Sequence, residues 1–535
     1  QVSANVPSDG SITPAKLGGQ DFAFTGDIRL NDDDGTHYVG FKSPTTVSTN
    51  KVWTLPAADG SSGQLLSTNG SGVLSWTSDS LPDGSVTVAK IASGLQLVTT
   101  DAQNNTLGGT GAGASFSGTS AVANTLFGRS AGTAVTTGDY NSAFGFETLK
   151  ALTTGGENFA VGSQALYTLT TGNYNNAFGS NALFAATTSS NNSAFGHHAL
   201  KANTTGANNI AVGSNALDAN TTGYTNIAVG VHALTACTTG VQNTAFGYNC
   251  LGALTTASNN VAIGYSVLAA NTSGTLNCGV GLNTLDANTT GSNNTAVGYN
   301  ALGANTTASN NCAFGYDALA ANTEGTQNNG FGVNALAAVT TGDYNVAIGT
   351  NTLMANTTAD CNIAVGTNAL LVNTTGDNNT AIGSYALDAN TTGVKNTAVG
   401  RDALGANTTG ADSCAFGREA LQYNTTGYHS NAFGQEALKM NTTGHSLCAF
   451  GHSSLKENTT GDLSVAIGQA ALEQNTTGDN NVAVGAYALD ASTTQSGLTA
   501  VGYKALSANT SGDNQTAVGY EALENTTTGG SNTAV

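Results

Sequence analysis

Residues that could perform chemistry are few in this chain and fall at irregular places. Charged residues make up only 9% of the 535 residues, and the seven histidines share no metal-ligand spacing apart from the neighbours His197 and His198. The acidic side chains occupy variable positions and form no repeated pair suited to acid and base catalysis. Nucleophile motifs, phosphate-binding loops and dinucleotide fingerprints are also missing from the sequence. We therefore predict that the chain is not an enzyme and has no catalytic, cofactor or metal site.

The seven cysteines are interpreted as packing residues. Four of them, Cys278, Cys312, Cys414 and Cys448, occupy one position of a 17-residue repeat, and the nearest pairs are two repeats apart. If each repeat is one coil of stacked β-structure, two repeats span about 9–10 Å, which is too far for a disulfide. We expect these thiols to behave as small, half-buried apolar groups.

The most conspicuous polar triplet is Asn-Thr-Thr, as at residues 203–205 and 288–290. Stacked in successive coils, these side chains would form Asn and Thr ladders that satisfy the backbone groups of a turn. Two other interpretations remain open. Each triplet is a formal N-glycosylation sequon, and a regular column of threonines could bind ice, although adjacent threonines point to opposite sides and only one column would face outward.

The cysteines and the Asn-Thr-Thr triplets belong to one 17-residue sequence motif that repeats through most of the chain. A glycine that follows Val, Ile or Phe, preceded in most repeats by Ala, recurs every 17 residues from Gly128 to Gly519 and gives 24 glycines in register. Leucine stands four residues after each glycine, except that Gly132 replaces it in the first repeat. Such strict internal repetition is typical of solenoids, in which stacked units bury a continuous core that no single unit could bury alone.

The repeat predicts an all-β fold: a parallel β-solenoid or β-roll with one 17-residue coil per repeat. A helix is the competing interpretation for the Ala-Leu-x-Ala-Asn segment, but 17 residues leave room for barely one helical turn, and Thr-Thr-Gly ends it. With coils about 4.8 Å apart, 24 coils would form a rod on the order of 115 Å long.

Alternation along the strand predicts which residues face the core. We expect the Val, Ile or Phe before the glycine to stack with the leucine, because large apolar residues are normally buried. The opposite face, made of Ala and Gly, would then pack closely against other copies of the chain in a homotrimer. The predicted core residues are Val212, Leu217, Val297, Leu302, Val399 and Leu404, and the predicted small packing face contains Gly213, Ala296, Gly298 and Gly400.

The sequence divides into four predicted segments. Residues 1–19 form a collar-like segment, 20–78 a small antiparallel β-module, 79–125 a second collar-like segment with a Gly/Ser/Thr-rich connector, and 126–535 the repeat shaft. The two collars share a phrase, at residues 9–17 and 83–91. In the module we expect strands at residues 26–30, 38–41, 52–55 and 73–76. The acidic stretch 31–34 lacks the ligand spacing of a calcium loop and is expected to be a hairpin turn.

Charge and chain ends limit the partners. The net charge of −19 disfavours binding to nucleic acid or to an anionic membrane surface. No apolar stretch reaches the length of a membrane span. The chain begins at Gln1 without a methionine and stops at Val535, one residue before the next expected glycine. We therefore expect it to be part of a longer protein.

Two resemblances suggest a function. The phrase Val52-Trp-Thr-Leu-Pro, followed by Gly63-Gln-Leu-Leu-Ser and ending in Leu-Ser-Trp76, resembles the N-terminal modules of tailed-phage tail fibres. Asn260-Val-Ala-Ile-Gly264 resembles the head repeats of trimeric autotransporter adhesins, which form a trimeric left-handed β-roll. Here the period is 17 rather than about 14, and the Asn lies one residue closer to the glycine.

The first resemblance implies a homotrimeric tail fibre of a virion that projects a receptor-binding tip and mediates host attachment. Its partners would be tail or baseplate proteins near the N-terminus, and a host receptor or glycan bound through parts outside this sequence. The alternative is a bacterial cell-surface trimeric adhesin. A solenoid that binds ice or polysaccharide is a third possibility.

Overall fold

The structure is a computed structural model that describes residues 28–31, 38–41, 54, 56–58, 61, 64–69, 71, 73–78, 98–116 and 120–535. The chain divides into two units, Gln1–Leu95 and Gln96–Val535. The shared phrase of the two collar-like segments, at residues 9–17 and 83–91, lies outside the described residues, as does most of the acidic stretch.

The first unit contains two antiparallel hairpins. β1 (Ile28–Asn31) pairs with β2 (Tyr38–Phe41), and β3 (Gln64–Thr68) pairs with β4 (Leu74–Ser78). The Asn69 side chain closes the second hairpin by accepting a hydrogen bond from the Ser71 amide, at 2.9 Å. The strands expected at 26–30, 38–41 and 73–76 are therefore confirmed within two residues. The one expected at 52–55 is reduced, among its described residues, to a single bridge between Thr54 and Val73, and β3 was missed.

The second unit is one ladder of short strands. It begins with the antiparallel pair β5 (Thr99–Thr100) and β6 (Thr106–Gly108), and every later strand pairs in parallel with the next. The later strands are β7 (Thr125–Phe127), β8 (Ser142–Phe144), β9 (Phe159–Val161), β10 (Asn176–Phe178), β11 (Ser193–Phe195), β12 (Ile210–Val212), β13 (Ile227–Val229), β14 (Thr244–Phe246), β15 (Val261–Tyr265), β16 (Cys278–Leu282), β17 (Thr295–Val297), β18 (Cys312–Phe314), β19 (Asn329–Phe331), β20 (Val346–Ile348), β21 (Ile363–Val365), β22 (Thr380–Ile382), β23 (Thr397–Val399), β24 (Cys414–Phe416), β25 (Asn431–Phe433), β26 (Cys448–Phe450), β27 (Val465–Ile467), β28 (Val482–Val484), β29 (Thr499–Val501), β30 (Thr516–Val518) and β31 (Thr533–Ala534).

Each coil is bonded to the next around its whole circuit. Ala296 pairs with Ala313, 17 residues on. In the turns, the amide of Leu302 donates to the carbonyl of Ala318 at 3.0 Å, and that of Thr289 to Thr306 at 2.8 Å. The predicted all-β solenoid with one 17-residue coil per repeat is confirmed, and the described residues contain no helix. Residues 98–116, which we had assigned to the connector, form the coil that precedes the first repeat.

Three left-handed residues bend each coil after its strand. In the repeat of Gly298 they are the glycine itself (φ +133°), Asn300 (φ 53°) and Leu302 (φ 52°). Leucine in this conformation costs on the order of 1–2 kcal/mol. Leu302 is fully buried, so packing offsets that cost.

The coil interior is narrow, and the two predicted faces are reversed. Leu217, Leu302 and Leu404 are fully buried, as expected. Val212 is 38% exposed, however, and Val297 and Val399 are half-buried, so their assignment to the core was wrong. The middle strand residue, such as Ala296, points inward instead and is fully buried. An ideal Cβ at Gly330, an alanine position, would lie 3.5 Å from Leu319 Cδ1, so the leucine leaves room only for a small neighbour.

The small residues therefore do not form a packing face for other copies of the chain. Ala296 contacts the interior of its own coil. A side chain at Gly213, Gly298 or Gly400 would collide with the backbone of the next coil of the same chain, at Gly230, Gly315 or Gly417 respectively. Close backbone approach does explain these glycines, as expected, but the approach is intramolecular.

Two ladders of buried asparagines run through the solenoid. Asn294 donates through Nδ2 to Asn277 Oδ1 at 3.2 Å and to the Ala308 carbonyl at 2.9 Å, and its Oδ1 accepts from the Asn311 amide at 3.0 Å. Asn305, in an Asn-Thr-Thr triplet, donates to Asn288 Oδ1 at 2.7 Å. The ladder expected for the triplets is thus confirmed, and a second one precedes each strand. Both satisfy polar groups that would otherwise be buried without partners.

We expect Gly298→Val to destabilise the rod by about 3 kcal/mol or more, because it combines an unfavourable φ with collision against the Gly315 carbonyl. Gly303→Ala is the matched control in the same coil, since the added methyl would meet mainly the Asn300 side chain, with the Asn300 carbonyl 3.3 Å away, and the backbone at residue 303 is not left-handed. Thermal unfolding followed by circular dichroism measures both. Equal melting temperatures for the two variants would contradict the close approach at Gly298.

Asn294→Ala should cost about 2 kcal/mol or more, because it leaves the buried Asn311 amide without a partner and removes one of the two hydrogen bonds to the Ala308 carbonyl. Asn294→Ser should cost less. Serine occupies this ladder position at Ser413, whose hydroxyl accepts from the Ser430 amide at 3.2 Å. Chemical denaturation of the two variants provides the measurement, and a serine variant no more stable than the alanine variant would argue against the ladder's role.

Candidate interaction surface

The described residues contain no group of three or more His, Cys, Asp or Glu side chains placed to hold a metal ion. Among them, no helix is long and apolar enough to cross a membrane. The imidazoles of His197 and His198 stack on one another, 3.6 Å between centroids. A continuous surface follows the outer face of the strands.

This surface, which we call the outer stripe, consists of the first and third residues of strands β7 to β30. The third residue is Val, Ile or Phe in all 24 strands, and no residue of the stripe is charged. Many of these side chains are well exposed, including Phe246 at 54%. Phenylalanines in successive coils stack, with ring centroids 4.9 Å apart for Phe416 and Phe433 and 4.5 Å for Phe433 and Phe450.

The outer stripe leaves one face of a parallel sheet uncovered. The inner face packs on the leucines of the solenoid, whereas nothing else in the second unit covers the outer face. Parallel sheets in proteins are almost always covered on both faces. Soluble monomers also rarely expose continuous apolar patches larger than a few hundred Å², and larger ones mark interaction sites. The stripe thus has the properties of an interface.

The stripe widens over seven successive coils into what we call the aromatic patch. It is formed by the residue after the repeat glycine, which is 41% to 52% exposed in each of these coils. Two strands of the patch, β15 and β16, are extended to five residues, so that Tyr265 pairs with Leu282 in the sheet. In many other coils this position is Ser, Thr, Arg, His or Gln. The patch residues are Val231, Tyr248, Tyr265, Leu282, Tyr299, Tyr316 and Val333.

The tyrosine rings of the patch stack face to face in pairs. Tyr248 stacks on Tyr265 with centroids 5.2 Å apart, and Tyr299 on Tyr316 at 5.0 Å, with interplanar angles of 16° and 12°. Because the rings stack along the ladder, they present edges and hydroxyls to solvent. Such a surface suits a protein partner, since tyrosine is enriched in protein interfaces.

The Asn-Thr-Thr triplets form a second regular surface. The first threonine is half-buried and its hydroxyl bonds to the next coil, as Thr204 Oγ1 does to the Thr221 carbonyl at 3.0 Å, while the second, Thr205, is exposed. Only one threonine column is thus fully exposed, as expected. The Asn203 side chain is fully buried, with Nδ2 bonded to the Gly206 carbonyl at 3.0 Å. Its burial argues against glycosylation at this amide in the folded chain.

The cysteines occupy three kinds of position, and all seven are free. Cys278, Cys312, Cys414 and Cys448 lie half-buried in the outer stripe, which confirms their interpretation as packing residues. Burial raises the pKa of the Cys278 thiol and raises that of the interior Cys237 to about 11. Raised thiol pKa values make these cysteines less reactive, because less of the thiol is present as thiolate. Cys361 differs from the other six in that its side chain is exposed.

Several charged side chains form ion pairs between neighbouring coils. Lys439 Nζ lies 2.7 Å from Glu419 Oε2, and Lys456 Nζ lies 3.0 Å from Glu436 Oε2. The hydrogen bond from Lys439 lowers the pKa of Glu419, and that from Lys456 lowers the pKa of Glu436. Asp388 behaves oppositely: burial, with a contribution from Asp402, raises its pKa to about 6. Arg418 is a further partner of both glutamates, with its guanidinium 2.9 Å from Glu419 Oε1 and 3.5 Å from Glu436 Oε1.

We expect Asp388→Asn to stabilise the chain by roughly 1 kcal/mol at pH 7, an amount reduced by solvent screening of the half-exposed carboxyl. The pKa of Asp388 is raised in the folded chain, so its contribution is fully present below pH 4 and is lost as the pH rises through about 6. The melting temperatures of the two proteins should therefore differ at pH 7 and coincide near pH 4. The exposed Glu324→Gln is the control, and an equal gap at both pH values would refute the assignment.

No protein-family model matches this chain, and neither a curated protein nor a solved structure matches it. The resemblances to tail fibres and to autotransporter heads thus remain predictions from short phrases of sequence.

Proposed function

We propose that this chain is the shaft of a homotrimeric virion tail fibre, which projects a receptor-binding tip and mediates host attachment. The observation that supports this most is the uninterrupted parallel ladder from β6 to β31. A ladder of this kind is extended along one axis, about 4.8 Å per coil, and spans on the order of 120 Å. Reach of this length, without any catalytic cluster in the described residues, is suited to a mechanical role.

The construction of the coils supports a stiff element. Each coil is fixed to its neighbours by backbone bonds in both strand and turns, by the asparagine ladders and by threonine hydroxyls such as that of Thr289, which bonds to the Thr306 carbonyl at 3.0 Å. Bending the rod would stretch these bonds on one side. A shaft transmits position from one end to the other, and this dense, repeated bonding serves that purpose.

The sequence of the first unit supports the tail-fibre assignment over other fibres. Its Trp-Thr-Leu-Pro and Leu-Ser-Trp phrases resemble virion fibre modules, which implies tail or baseplate partners near the N-terminus. The receptor or glycan would be bound by parts outside this sequence. With a net charge of −19, nucleic acid is not among the proposed partners.

A bacterial cell-surface trimeric adhesin is the second candidate. It is favoured by the strand phrase at Asn260–Gly264, which resembles adhesin head repeats. An ice- or polysaccharide-binding solenoid is a third candidate, with the exposed threonine column as its only support. Immunogold labelling distinguishes the first two, because the antibody would mark either virus particles or the bacterial surface, and thermal hysteresis or glycan-array binding would favour the third.

Mass photometry of the full chain should give particles of three copies of the 53.2 kDa chain, and negative-stain electron microscopy should show rods on the order of 120 Å long. A stable monomer would exclude the trimer. Particles without an elongated segment would exclude the shaft itself, whatever their mass.

A further inference from the structure

We propose that the outer stripe is the face through which copies of this chain pack on one another, and that the aromatic patch sets their register along the rod. The inference rests on the proposed homotrimer, and it names the surface and the residues responsible. It replaces the small Ala and Gly face, which the fold buries within each chain.

The size of the stripe is that of a stable interface. A three-residue strand is about 10 Å long, and 24 strands at 4.8 Å spacing extend about 115 Å. The stripe therefore covers on the order of 1,000 Å² in each chain, compared with about 800 Å² per partner in a standard stable complex. Because the stripe is uncharged and two thirds of its positions are Val, Ile or Phe, covering it would remove a large apolar area from water.

The periodicity of the stripe identifies the occupant as a second copy. Side chains such as Val297, Phe314 and Phe331 form ridges at the spacing of paired strands. A partner can interlock with these ridges over 24 coils only if it carries the same spacing over the same length. A second copy of this chain meets that condition because it has the same 17-residue repeat over the same length. A globular partner would cover a few coils and leave the rest exposed.

A uniform stripe alone cannot fix how far one copy is displaced along another. A shift by one coil places Val, Ile or Phe against Val, Ile or Phe again, so the free energy of association changes little. The aromatic patch removes this degeneracy because it occupies only seven coils. A shift by one coil would bring Val231 or Val333 opposite the polar Ser214 or Thr350 of a neighbour, and a shift by two coils would do the same to Tyr248 or Tyr316. Closed rotational symmetry places identical coils at the same height, and patch against patch satisfies it.

The first test separates the interface from the fold. Phe314→Lys combined with Phe416→Lys places two charges on the outer stripe, where both side chains are exposed in the single chain. The control is Thr307→Lys combined with Thr409→Lys, on the exposed threonine column of the same coils or neighbouring ones. Both variants should keep the wild-type circular dichroism. By mass photometry the control should keep the wild-type mass, and the stripe variant should shift to the mass of one chain.

The outcomes distinguish this inference from the proposed function. An oligomeric stripe variant beside an oligomeric wild type would overturn the inference and leave the fibre in place. A wild-type dimer that the lysines dissociate would support the stripe and exclude the trimer. A monomeric wild type would exclude both the trimer and the interface, while the shaft would still be judged by the rods seen in electron microscopy.

The second test measures register. A spin label on the exposed Cys361 reports distances between copies, and Cys361→Ser verifies that the six buried or half-buried cysteines do not react. We expect a narrow distance distribution for the wild type. Changing Tyr248, Tyr265, Tyr299 and Tyr316 to serine, which this repeat position carries at Ser163 and Ser180, should broaden it in steps of one coil while the mass is kept.

The matched control changes four exposed tyrosines that lie outside both the patch and the stripe, Tyr224, Tyr385, Tyr423 and Tyr428, to serine. Its distance distribution should remain as narrow as that of the wild type. A patch variant with an unchanged narrow distribution would overturn the assignment of register to the aromatic patch, and an equally broadened control would show that the effect is not specific to it.

Discussion

Pairing of each coil with the coil 17 residues further along is the interaction on which the rest of the structure depends. A three-residue strand has no stability of its own, and the interior of one coil is little more than two alanines, a leucine and the asparagine amides. Only in a stack do the backbone groups, the amide ladders and the apolar column become complete. The required close approach then dictates the glycines, since the next coil's carbonyl occupies the space that a side chain would need.

The narrow interior also determines the exterior. Because the inward leucine fills the coil, the inward strand position holds only alanine or a close substitute, and the larger residues of the strand must lie outside. The narrow coil that allows close stacking therefore leaves the column of Val, Ile and Phe side chains exposed. This exposed apolar column would be unfavourable in an isolated chain but suits a chain that packs against other copies.

The sequence was sufficient to predict the period, the strands, the buried leucines and the Asn-Thr-Thr ladder, because each follows from strict repetition and short-range geometry. It did not tell which strand face points inward. Alternation assigns Ala296 and Val297 to opposite faces, and burial propensity then favoured the valine. A better signal was present: the position two before that valine accepts Thr, Asn, Ser and Cys, which suits an outer column. The run of tyrosines that forms the aromatic patch was also visible in the sequence, but it could be recognised as a surface only once the outward strand face was known.

In the first unit, β3 was missed because its apolar residues are adjacent rather than alternating.

The first repeat shows what kind of change the rod can accept. There Leu126 occupies the inward strand position and Gly132 the usual leucine position, and a side chain on Gly132 would lie 2.7 Å from Leu126 Cδ1. A related compensation occurs where Val267, at a position that is alanine in most repeats, faces Gly279 at the inward strand position. Large and small residues have traded places while the cross-section stayed constant. In such an array a larger residue at one inward position requires a smaller residue at the position it contacts. The effect of a substitution on stability therefore depends on which residue occupies the contacting position.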